Sequence, residues 1–157
     1  MVLSGLCGFE TVYARVALAG GFLTSVTDRF GLWGPAGSKN VAWGDMQHFL
    51  IYTAILNPWF PAVVIPAFGI LVTALEIALF ILLLVGFQTR MAARISAWLT
   101  PGFAIGMTTG TGIKSALNAS VIAFSACAWL LAKAERYPLS VDALRKGSKS
   151  HAQVVSP

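Results

Sequence analysis

Charge is scarce in this sequence: 11% of its 157 residues are Asp, Glu, Lys or Arg, and six of those are acidic. A soluble domain carries about 25% charged residues, so a water-facing surface of ordinary polarity is excluded. Cysteine is nearly absent too. Cys7 and Cys127 form no CxxC pair, which excludes a disulfide scaffold and a dithiol redox motif. His48 and His151 lie far apart in the chain, no zinc spacing occurs, and no metal site is expected. No nucleotide motif is present, since in Gly110-Thr111-Gly112-Ile113-Lys114-Ser115 an isoleucine separates glycine from lysine and no strand precedes it. The fifteen glycines have no period, which excludes a collagen-like chain. The shortage of charge likewise excludes a disordered one.

Apolar sequence fills the space left by these absences. The hydrophobic fraction is 57% and the mean hydropathy +0.75. A membrane helix needs about 20 mostly apolar residues, and four stretches qualify, at about 9–27, 64–86, 95–113 and 115–132. From Leu50 to Thr89 the only charge is Glu76, and Asn57-Pro58, Pro61 and Pro66 confine the second span to the later part of that run. The expected fold is an all-α membrane protein, a four-helix transmembrane bundle in one domain over about 1–132, with a basic cytoplasmic tail over 133–157.

Four spans put both termini on one side. With the termini inside, Arg15, Arg90, Arg94, Lys133, Arg136, Arg145, Lys146 and Lys149 face the cytoplasm, and Arg29, Lys39 and Lys114 face out. That asymmetry follows the positive-inside rule and predicts a multi-pass membrane protein with both termini in the cytoplasm. Trp33, Trp43 and Trp59 fall at the outer interface, Trp98 and Trp129 at the inner one, as an aromatic belt requires. The basic residues form short clusters between apolar runs, so the net charge of +5 serves topology and not nucleic acid. In the long outer loop, Gly44-Asp45 reads as a helix start and Asn57-Pro58 as a stop. Met46 to Leu56 is then a short helix in the interface or over the mouth of the bundle.

Glu76 is the leading candidate for chemistry. It falls near the centre of the second span, where a charged carboxylate costs on the order of 2.5–3.5 kcal/mol on insertion scales. It must be protonated, paired or beside a polar cavity, either as a proton-handling or ligand-contacting group or as an interhelical hydrogen bond. Arg15 is the partner first tested. Side chains lean toward the amino end of a helix, here the inner surface, so snorkelling is the competing reading. Thr108 and Thr109 offer hydroxyls near the outer end of span three, and Asn118 an amide near the start of span four. Gly102, Gly106 and Gly110 share one face of span three and predict close helix packing, within the chain or in a homo-oligomer.

Several strings resemble a branch of the DoxX family: Thr27-Asp28-Arg29-Phe30-Gly31-Leu32-Trp33-Gly34, Val41-Ala42-Trp43-Gly44-Asp45, Tyr52-Thr53, Leu56-Asn57-Pro58-Trp59, Leu75-Glu76-Ile77, Leu84-Val85-Gly86-Phe87-Gln88-Thr89-Arg90 and Gly110 to Ser115. The resemblance covers about 11–132. Asn118-Ala119 departs from the more acidic and aromatic pattern expected after Lys114-Ser115. The resemblance implies a compact four-helix protein of a bacterial inner membrane, associated in the family's founding members with quinone-linked sulfur oxidation and terminal oxidases, and in others with redox-stress systems. Two functions follow as expectations. One is a quinone-associated subunit of a membrane oxidoreductase, with Glu76, Thr108 and Thr109 as polar contacts, no covalent cofactor, and electrons supplied by a redox partner protein. The other is a non-catalytic anchor, assembly or transport component.

Overall fold

The computed structural model describes residues 8–145. Among these the chain is helical throughout, with no β-strand. Six helices follow in order: α1 Phe9–Arg29, α2 Met46–Leu56, α3 Ile65–Val85, α4 Thr89–Thr111, α5 Ile113–Asn118 and α6 Val121–Lys133. A helical turn over 141–145 ends the described chain. One helix, α3, is long and apolar enough to cross a membrane by length and composition.

The helix ends have local causes. Asp45 caps α2 by accepting the His48 N–H at 2.8 Å, and Asn57 closes it ahead of Pro58. Pro66 sits in the first turn of α3, where its missing donor removes no helical bond. Gly86 ends α3 in the left-handed region at φ 69°, with the Phe87 N–H returning to the Leu82 carbonyl at 3.0 Å. A β-carbon there would run into Ser140 and the Arg15 guanidinium.

Helix α1 packs on α3 and α6, α4 packs on α6 and α3, and α2 lies across α3 and α4. The core joins large side chains of α1 and α3 (Leu18, Phe22, Leu79 and Leu83) to alanines of α4 and α6 (Ala92, Ala97, Ala128 and Ala132). Small residues on one side bring those two backbones close, and Phe22 meets Phe124 edge-on at 5.1 Å. Pro101, inside α4, has no N–H for the Ala97 carbonyl, and the Ser125 hydroxyl of α6 bonds that carbonyl instead at 3.1 Å.

Three expectations are revised. Helix α4 starts at Thr89, ahead of about 95, because Asp142 supplies its cap: the carboxylate accepts the Gln88 and Thr89 N–H groups at 2.9 and 2.8 Å. The fourth apolar stretch is broken at Ala119-Ser120, where Ser120 takes a left-handed φ of 56°. The chain after Lys133 is also no free tail as far as Arg145. The Tyr137 hydroxyl donates to the Leu131 carbonyl at 3.0 Å, and the Asp142 N–H to the Gly86 carbonyl at 3.0 Å. His151 and Cys7 lie outside the described residues.

Three variants test these features. Gly86→Ala should lose about 2 kcal/mol or more in unfolding, since left-handed strain alone is worth roughly 1–2 kcal/mol. Gly102→Ala, where an added methyl meets nothing within 4 Å, should gain about 0.5–1 kcal/mol from helix propensity. Burial raises the Asp142 carboxyl, but the N–H donors of Thr89 and Gln88 and the charge of Arg145 outweigh it and hold it below its ordinary range. Its contribution is therefore complete above the unfolded-chain pKa of about 3.9 and is lost as pH falls through the lower folded value. Asp142→Asn should flatten stability against pH in that acid window.

Candidate functional site

Glu76 is 2% exposed and occupies the middle of α3. Its partner is Arg29, the last residue of α1, whose Nη1 stands 2.5 Å from Glu76 Oε2. The same nitrogen donates to Thr73 Oγ1 at 2.8 Å, and Thr73 in turn donates to the Gly69 carbonyl. Arg29 is 3% exposed although it ends its helix. Its Cα–Cβ bond leans toward the start of α1, so the long side chain runs down the bundle to the level of Glu76. Two aromatic faces cover the guanidinium, Phe49 of α2 at 3.8 Å from the ring centre and Trp43 at 5.3 Å. Asp28 sets Trp43 in place by accepting its N–H at 2.7 Å.

The pair is close but incompletely bonded. Arg29 Nε is buried without an acceptor among the described residues, and Glu76 takes the Nη1 contact alone, which leaves lone pairs of the carboxylate unused. Beside them is a cavity of about 460 Å³, within the roughly 300–1,000 Å³ of small-molecule sites. Its wall is mainly apolar and aromatic, with Trp43, Phe49, Tyr52, Phe68, Phe103 and Met107. Helix α2 forms one side and comes close because Gly69 of α3 and Gly110 of α4 leave room for it. Added β-carbons there would strike Leu50 and the Ile55–Leu56 backbone.

Of the residues expected at a site, Glu76 alone reaches the cavity. Arg15 is neither paired with Glu76 nor snorkelling to the surface. It is 3% exposed and donates to four carbonyls: Leu83 at 3.1 Å, Leu84 at 3.3 Å, Pro138 at 3.0 Å and Leu139 at 3.0 Å. It thereby satisfies the free carbonyls at the end of α3. Thr108 turns its hydroxyl back on its own helix, to Ala104, and Thr109 does so to Ile105 and Gly106 while also reaching the Leu56 carbonyl of α2 at 3.5 Å. Asn118 is exposed on α5. Gly106 and Gly110 face the end of α2, whereas Gly102 is exposed with no neighbour within 4 Å, so two of the three glycines serve packing within the chain. The residue missed was Arg29. The leaning of helical side chains toward the amino end points Arg15 away from Glu76 and points Arg29 at it.

A second hollow at the inner end holds Arg90, Arg136 and Arg145 together with Glu135 and Asp142. Arg90 donates to the Ala134 carbonyl at 3.0 Å and Arg145 lies over the Phe87 ring. No group of His, Cys, Asp and Glu among the described residues is arranged to hold a metal ion. Comparison with protein-family models, with curated proteins and with solved structures gives no match.

Removing one member of a buried ion pair strands the other, at about 3–5 kcal/mol, whereas an apolar replacement of both is close to neutral. Unfolding in detergent followed by circular dichroism should show Arg29→Met and Glu76→Leu each destabilised by about that amount. The double variant should recover most of the loss. Additive losses would mean that the two charges are not coupled.

Proposed function

We propose that the chain is a four-span, DoxX-type protein of a bacterial inner membrane, with both termini cytoplasmic, and that the cavity beside Arg29 and Glu76 binds a quinone. The spans are α1, α3, α4 and the broken pair α5–α6, with α2 at the outer interface. Support for the membrane setting comes from the outward faces. About a third of the apolar window of α3 is buried, and large apolar side chains such as Val16, Ile70, Ile81, Trp98, Ile122 and Leu130 point away from the core. A surface so apolar suits lipid and not water.

One observation carries the quinone reading: a buried ion pair with hydrogen-bonding capacity left over, beside an aromatic cavity. A lipid-soluble redox carrier has the matching chemistry, an apolar ring and chain with polar oxygens at the ring edge. The cavity supplies binding and orientation, and electrons come from a redox partner protein at the membrane.

The test is the quinone content of the purified protein, by solvent extraction and absorbance. About one quinone per chain is expected. The Arg29→Met/Glu76→Leu double variant, and Ala119→Phe, which places a ring at the cavity wall, should each lose it while keeping the helical spectrum. No quinone in any form would assign the chain to the anchor, assembly or transport class and make the ion pair structural.

A further inference from the structure

We infer that the cavity prefers the reduced, hydroxylated form of its ligand, the quinol, to the oxidised carbonyl form; this rests on the quinone reading. The groups at the ion pair decide it. A guanidinium has five N–H donors and no acceptor, and a carboxylate has acceptors and no donor. Arg29 uses Nη1 for both Thr73 and Glu76, and its Nε has no acceptor. Glu76 receives nothing beyond that one contact among the described residues. Thr73 offers no proton, since its hydroxyl donates to Gly69 at 2.8 Å. What remains is donor capacity on Arg29 and acceptor capacity on Glu76, side by side.

A quinone oxygen is an acceptor only. It can take a bond from Arg29, but it then sets its lone pairs against the carboxylate. A quinol hydroxyl accepts from Arg29 and donates to Glu76, satisfying both. Ser25, Tyr52 and Asn57 add neutral polar groups to the wall, and the charged pair sets the preference. Sites built around a hydroxyl reject analogues that lack it by large factors, and at least tenfold is expected here. The two forms are linked by quinone + 2 e⁻ + 2 H⁺ → quinol, the two carbonyls becoming hydroxyls. Each tenfold of quinol preference therefore raises the midpoint potential of the bound couple by about 30 mV.

The experiment titrates the full-length protein in detergent, without oxygen and at neutral pH, with decylubiquinone, with its quinol and with the dimethyl ether of that quinol. Calorimetry reads each Kd. Quinol is expected at least tenfold tighter than quinone, and the ether, which has the quinol's ring but no hydroxyl proton, no tighter than quinone. Glu76→Gln, whose amide can donate to a carbonyl, should bring the quinol-to-quinone ratio close to one. Equal or tighter binding of quinone, or an ether as tight as quinol, would overturn the preference and leave the quinone site standing. Binding of none of the three would overturn the quinone site itself.

Discussion

A guanidinium and a carboxylate held together in an apolar bundle determine how one half of this molecule is built. Neither charge tolerates a low dielectric alone, so the end of α1 must come to the middle of α3. The surroundings follow from that demand. Thr73 shares the Arg29 donor, Phe49 and Trp43 cover the cation, and Asp28 fixes the loop that carries Trp43. Helix α2, without a full span's length, is held over the pair by its own aromatic ring and by the glycines beneath it.

Helix α1 carries two buried arginines, and they show two solutions to one problem. Arg15 and Arg29 are about four turns apart, so both look toward α3. Arg15 is met by neutral carbonyls at a helix end, which have no other helical partner. That arrangement is closed. Arg29 is met by a carboxylate and a hydroxyl and keeps a nitrogen without an acceptor among the described residues. The difference between the two arginines is one of hydrogen-bond accounting and not of burial, since both are 3% exposed.

The helices were legible where apolar length and end signals coincide. Met46–Leu56 follows from Asp45 and Asn57-Pro58, and Ile65–Val85 from Pro66 and Gly86. The start of α4 was not legible, because its cap is Asp142, more than fifty residues further on. Nor was the break before α6, since Ser120 adopts its left-handed conformation without a glycine or proline to announce it. Glu76 could be picked out as an isolated charge in forty residues. Arg29 could not, because it reads as the loop end of a span until the direction of its side chain is considered. Thr108, Thr109 and Asn118 were chosen for chemistry alone, and helix phase turns them elsewhere.

The Arg15 clamp ties the chain's order in space to its order in time. Its bond to the Pro138 carbonyl closes a separation of 123 residues. At synthesis rates of about 5–20 residues per second, roughly 6–25 seconds pass between making the arginine and making that acceptor. During that interval α1 carries a cation with part of its hydrogen-bonding unfulfilled. Helix α1 thus reaches its final set of partners only after α6 and the segment behind it have been made, and other acceptors must serve its guanidinium until then.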